Sequence, residues 1–317
     1  MENGEKQGGM PSKSRKGFLV GNLCILTATI FWGINVSATK ALIPEWMSAD
    51  SLTAVRLVGG CLLFWIVSFF VARQKIAWHD WLKLILGGVV GLFGFIYLFV
   101  TSLRYGDPID ISIIMTLPPV FVILIGLIFQ HRHTSVLECL GILVSFIGAV
   151  LVILDAASGT DAHAHDRLLG NLLAILSTIC YAFYLVILEG PTKTYRPVTM
   201  LRWVFLFAAL PALFLVPQLL HQPILHTTEA IPWIEISFIL LCPTFAAYFL
   251  VQPAIRHIGS ELVSLYQYLV PVFATVSAVL MGLSHLKWIQ GIAMLVIVGG
   301  MVITNVGKLR KKPIPSS

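Results

Sequence analysis

Charged side chains are scarce, making up 11% of the 317 residues, where a soluble domain carries about a quarter. What charge there is falls in short gaps, and no Asp or Glu lies near the middle of any long apolar run. This removes a soluble globular domain from consideration, and with it the buried carboxylate that proton-driven exchangers commonly use as a relay. Cysteine is equally thin: Cys24, Cys61, Cys139, Cys180 and Cys242 are odd in number and scattered within apolar runs. They read as small packing residues and argue against a disulfide framework. No phosphate-cradling glycine loop, nucleophile elbow or zinc-protease helix motif occurs, so no catalytic group, cofactor or resident metal is expected. The stretch Asp161-Ala162-His163-Ala164-His165-Asp166 has metal-binding composition but sits in a polar connection, and His131 and His133 flank Arg132 in a short turn.

What is present is hydrophobic: 57% of the chain, gathered into ten runs near 18–40, 51–72, 83–103, 109–129, 135–154, 168–188, 199–219, 233–254, 261–282 and 287–306. About 20 apolar residues suffice to cross a hydrocarbon core roughly 30 Å thick, so the fold class is an all-α integral membrane protein of ten transmembrane helices. The first run is too long for a signal-peptide core and lacks a convincing cleavage site. With the N-terminus in the cytoplasm, that side collects Lys6, Lys13, Arg15, Lys16, Arg73, Lys75, Lys83, Arg132, Lys193, Arg196, Arg256 and the tail from Lys308 to Lys312. Lys40, Arg104, Arg167 and Lys287 fall on the other side. This asymmetry makes both termini cytoplasmic. The net charge of +6 then orients helices and meets anionic lipid; the bilayer is the implied partner, and nucleic acid is not.

The chain also repeats itself. Phe93 to Phe121 match Phe245 to Phe273 without a gap, 152 residues apart, including Arg104 with Arg256, Ser112 with Ser264, and Pro119-Val120-Phe121 with Pro271-Val272-Phe273. Gly21-Asn22-Leu23 returns 149 residues later as Gly170-Asn171-Leu172, and Thr29 as Thr178. Five runs per half, an odd number, set the second copy upside down relative to the first. The organisation is a tail over 1–17, repeats over 18–160 and 161–306, and a tail over 307–317. Inverted repeats in a membrane point to alternating access around a midplane site.

Polar residues at helical spacing mark the faces turned inward. The first helix carries Thr29, Trp32 and Asn35, and its repeat partner Thr178, Tyr181 and Tyr184. The third and fourth carry Tyr97, then Ser112, Thr116 and Pro119. The eighth and ninth carry Thr244, Tyr248 and Gln252, then Ser264, Gln267, Pro271 and Thr275. Taken singly, each is interhelical glue worth about 0.6 kcal/mol. Converging from six helices, they describe a cavity for a small-molecule solute. Trp32, Tyr97, Tyr181, Tyr184 and Tyr248 would supply its walls, and Asn35, Ser112, Thr116, Gln252, Ser264 and Gln267 its polar contacts. Pro119 and Pro271 fall mid-run and bend their helices, and Gly91, on a stripe with Gly87 and Gly94, allows close approach or sliding. Trp46, Trp78, Trp81, Trp233 and Trp288 sit where interface anchors belong. Arg56 and Arg202 lie a few residues inside their runs: either both snorkel, or Arg56 pairs with a carboxylate or lines an outer vestibule beside Lys40. Glu138 and Glu235 lie within a turn or two of helix ends.

These pieces carry a family resemblance. Trp32-Gly33-x-Asn35 followed by Lys40, Arg56 in the second run, the element ending in Pro119-Val120-Phe121, the Gly141 to Gly148 spacing, and the echoes Pro271-Val272-Phe273 and Gly291 resemble the ten-helix EamA family of the drug/metabolite transporter superfamily over about 18–306. The resemblance implies a bacterial-type inner-membrane carrier, often an exporter of amino acids or other small metabolites, with a central cavity between the repeats. The chain departs from the family pattern after helices 4 and 9, where members usually have a Glu and Arg132 and Leu283 or Ser284 stand here. The expected function is alternating-access export or exchange of a small organic metabolite such as an amino acid. A proton-coupled drug efflux carrier, a channel and a polytopic membrane enzyme remain alternatives. Small multidrug-resistance relatives rely on an acidic residue in helix 1; Phe18 to Lys40 holds none, which favours facilitated diffusion or exchange.

Overall fold

The computed structural model describes residues 12–72, 74–130, 135–158 and 164–311, and every regular element among them is helical. Eight helices are long and apolar enough to cross a membrane: α1 Lys16–Leu42, α2 Ala49–Ser68, α3 Trp78–Tyr105, α4 Pro108–Ile125, α5 Val136–Asp155, α6 His165–Ile187, α7 Pro197–Leu219 and α8 Ala230–Ala254. Two shorter apolar helices follow, α9 Gln267–Leu280 and α10 Trp288–Thr304. The expected ninth span at 261–282 therefore starts late. The helix of α8 runs on through Tyr266 and yields only at a tight turn, Gln267–Leu269, ahead of Pro271. Arg132, His131, His133 and His163 lie outside the described residues.

Local chemistry starts and breaks these helices. Ser48 caps α2 by accepting from the Ser51 N–H at 3.1 Å, with Asp50 in the positive first turn. Asp107 caps α4 by accepting from the N–H groups of Ile109 at 2.8 Å and Asp110 at 3.3 Å, with Pro108 as the first helical residue. Ser135 and Glu138 form a reciprocal capping box at α5, each backbone N–H bonded to the other's side chain at 3.3 and 3.2 Å. Glu138 is thereby assigned to a helix start. Within α4 the helix breaks between Ile114 and Pro118, since a residue before proline is pushed out of the helical region. Pro119 and Pro271 thus open new helical segments, each at its first turn.

Two wide turns of π-helix interrupt α3 at Gly87–Phe93 and α8 at Leu240–Ala246, at corresponding places in the two halves. In α8 the turn contains Pro243, whose missing N–H disfavours the ordinary ladder. In α3 it contains Gly91, where a Cβ would come within 2.8 Å of the Tyr184 Cβ and 3.0 Å of its Cα. The stripe therefore seats α3 against the backbone of α6, with Gly87 facing Leu188 and Gly94 facing Cys180.

Packing joins α1 to α8 and α9, α6 to α3 and α4, α2 to α7, and α5 to α10. This pattern is unchanged when each first-half helix is exchanged for its second-half counterpart. Helices α5 and α10 approach closely, Gly141 lying against Gly300 and Thr304. The exterior is apolar: Leu62, Ile66, Leu143, Ile147, Leu172, Ile234 and Leu295 are exposed while Thr29, Ser37, Thr53, Ser145 and Asn171 are buried. A bilayer, not water, is the solvent such a surface suits.

Each end of the bundle is tied by a polar network. At one end Lys40 Nζ donates to the carbonyls of Leu103 and Gly106 at 2.8 and 3.0 Å, closing α3. There too Ser284 donates to Asp107, Gln290 donates to Asp110 at 2.6 Å, and Lys287 reaches Asp155 at 3.1 Å. At the other end Asp80 pairs with Lys83 at 2.7 Å and accepts from the Tyr195 hydroxyl at 2.8 Å. Trp78 and Trp288 project outward as interface anchors would, whereas Trp81 packs on Trp203 with ring centroids 4.8 Å apart.

Candidate solute-binding cavity

The two helix breaks reach a cavity, and the π turn of α8 lies beside it. The cavity is lined by Trp32, Asn35, Val36, Arg56, Phe95, Phe99, Met115, Tyr181, Tyr248, Gln267 and Val270 and encloses about 600 Å³ between atoms, counting space continuous with the outside. Both halves contribute, in corresponding pairs. Trp32 of α1 faces in as Tyr181 of α6 does, and Met115 and Gln267 occupy the two breaks that precede Pro118 and Pro271. A break frees backbone from the ladder and turns its side chain out of the helix stripe, so these two residues enter the cavity.

The aromatic walls are held in place by one another. Trp32 meets Tyr248 edge to face, centroids 6.2 Å apart at 78°, and its indole N–H donates to the Pro243 carbonyl at 3.3 Å. Tyr248 also meets Phe205 edge to face at 5.6 Å. Tyr181 stacks on Tyr184 at 5.8 Å and lies 4.7 Å from Phe95 between centroids. Asn35 is buried and its Oδ1 accepts from Thr39 at 3.4 Å. The π turn of α8 therefore serves the cavity twice, offering the Pro243 carbonyl to Trp32 and the Thr244 hydroxyl to Arg56, whose Nε donates to it at 3.1 Å.

Among the residues expected in the site, the cavity gathers Trp32, Asn35, Tyr181, Tyr248 and Gln267. Tyr184 stands behind Tyr181, against Gly91. Tyr97 stacks on Phe93 at 5.6 Å and lies outside the lining. Ser112 and Thr116 spend their hydroxyls on their own helix, donating to Ile109 and Ile113 carbonyls at 2.7 Å. Gln252 lies one turn beyond Tyr248, half-buried and outside the lining, and the Ser264 side chain lies outside the described residues.

Sequence reasoning missed Val36, Phe95, Phe99, Met115 and Val270, apolar residues inside apolar runs, which carry no distinguishing signal. It left Arg56 open, and Arg56 does not snorkel. The residue is 3% exposed, with its guanidinium carbon 5.8 Å from the Phe99 ring centroid. Asp110 was missed too; it is buried within α4, in the end network away from the cavity. No group of three His, Cys, Asp or Glu side chains that could hold a metal occurs among the described residues. The cavity can thus wrap an organic molecule in aromatic surface and address its polar groups.

Comparison with known proteins agrees with this architecture. A solved crystal structure superposes with a TM-score of 0.62 at 20% identity, covering 94% of this chain and 99% of its own. The uncharacterized transporter YyaM of Bacillus subtilis is 26% identical over 91% of this chain and 95% of its own length. The aromatic amino acid exporter YddG of Ancylobacter novellus is 24% identical over 88% of this chain and 94% of its own. The model of the EamA-like transporter family matches twice, at residues 19–154 and 168–306. The chain is a multi-pass membrane protein and belongs to the EamA-like transporter family.

Proposed function

We propose that the protein is an alternating-access carrier that exports or exchanges a small organic metabolite, an amino acid in the first instance. The observation that supports this reading is the cavity, built jointly by equivalent helices of two halves and walled by aromatics with polar tips. In this reading the two repeats are inverted copies, and α9 and α10 complete ten crossings. The breaks before Pro118 and Pro271 and the π turns of α3 and α8 are the places where helices bend as the cavity changes sides. Both termini face the cytoplasm, and the Lys40, Asp107 and Lys287 end faces outward. The amino-acid class draws support from the printed function of the Ancylobacter relative.

Purified protein in liposomes, offered amino acids, nucleosides and lipophilic cations in turn, should carry one class with saturable kinetics. Flux that rises linearly with concentration would indicate a channel, and chemical conversion of the solute an enzyme.

A further inference from the structure

Burying a guanidinium in a membrane protein costs several kcal/mol unless partners replace its water, and arginine cannot escape by giving up its proton. Arg56 receives only part of that compensation. Its Nε is used on Thr244, and the Phe99 ring lies beside the guanidinium carbon. Its Nη1 is fully buried with no hydrogen-bond partner, and among the described residues no carboxylate pairs with it. Arg56 borders the cavity, and its buried Nη1 donors are claimed by no protein group among the described residues.

We infer that Arg56 is the recognition point for a carboxylate on the transported solute, which takes up the guanidinium donors that Thr244 does not use while its apolar body lies among Trp32, Tyr181 and Tyr248. This rests on the carrier reading of the cavity. A planar guanidinium matches a carboxylate with two parallel hydrogen bonds. Among the described residues Arg56 is the single cation in the lining, a charge balance suited to a monoanion and not to a dianionic phosphate. Among the described residues the lining holds no Asp or Glu, so an ammonium group finds no counter-charge from them, and the acid end of an amino acid governs binding. The same reasoning excludes lipophilic cations, which the guanidinium repels.

The test uses the full chain in proteoliposomes, following uptake of radiolabelled L-phenylalanine against three competitors: 3-phenylpropionate, L-phenylalaninamide and 2-phenylethylamine. The expected result is that 3-phenylpropionate competes while the amide and the amine are weaker by about thirtyfold or more, the loss expected when a buried charge pair is broken. Arg56→Gln should raise the half-saturation concentration for L-phenylalanine by a similar factor and abolish the preference for acid over amide; Arg56→Lys should keep part of it. If the variants fail to insert, competition on the unaltered protein still decides. Equal competition by acid and amide, or saturable flux of an amine or nucleoside with carboxylates ignored, would overturn the inference and leave the carrier reading standing. Absence of saturable flux for every class would overturn both.

Discussion

Tyr248 offers the sharpest separation between the two things a cavity residue does, touching solute and holding the wall. It is 6% exposed, with its ring fixed edge to face against Trp32 and Phe205. Tyr248→Phe keeps both ring contacts and removes only the hydroxyl, so its expected effect is the loss of one hydrogen bond to solute, about 0.5–1.5 kcal/mol, or roughly a two- to tenfold rise in half-saturation. Tyr248→Ala removes the ring. Because only 6% of the residue is exposed, little of the ring is left for solute to cover, and truncating a buried aromatic to alanine costs about 3–5 kcal/mol, chiefly as lost packing of the wall. That cost includes two edge-to-face contacts, each worth about 0.5–1.5 kcal/mol of stability. Concentration-dependent uptake into proteoliposomes, with the amount of inserted protein measured alongside, reads the two effects apart. The reasoning fails if both variants keep the parent's half-saturation, or if Phe is as damaging as Ala.

Two further outcomes follow from the packing and the polar ends. Gly91→Leu should force α3 away from Tyr184, because the contact is with backbone as well as side chain; overpacking of this kind costs about 1–3 kcal/mol or more, seen as a lower apparent melting temperature in detergent together with reduced flux, and an unchanged melting temperature would refute the close approach. Asp110→Asn should retain flux in liposomes held at one pH on both sides, since an amide oxygen can still accept from Gln290 and the residue lies outside the cavity lining; solute accumulation that follows an imposed proton gradient in the parent and vanishes in this variant would show obligatory proton coupling.

The membrane-spanning character and most helix positions were legible because apolar runs of crossing length are a strong signal. Helix α9 was less so. Its amino-terminal side belongs to the helix of α8, and no glycine-proline break at 258–260 matches the Gly106-Asp107-Pro108 that separates α3 from α4. In the cavity, Trp32, Asn35 and Tyr248 could be read from spacing, since a large polar-tipped side chain mid-span must face protein. Ser112 and Thr116 misled for a physical reason: a helical hydroxyl can satisfy itself on a carbonyl three residues back, and spacing alone does not distinguish that from a cavity-facing group. The π turns were invisible in the sequence, although that of α8 brings Pro243 and Thr244 against residues of the site. Arg56 was ambiguous because its partner, Thr244, is 188 residues away.

In the carrier reading, solute occupies the space between the two halves. That claim is tested most directly by replacing Asn35 with cysteine in a background where Cys24, Cys61, Cys139, Cys180 and Cys242 are serine or alanine, and measuring the rate of modification by a small thiol reagent with and without L-phenylalanine. The expected result is modification that slows as L-phenylalanine approaches the concentration that half-saturates transport. A rate unchanged at saturating L-phenylalanine, in protein that still transports it, would contradict the claim.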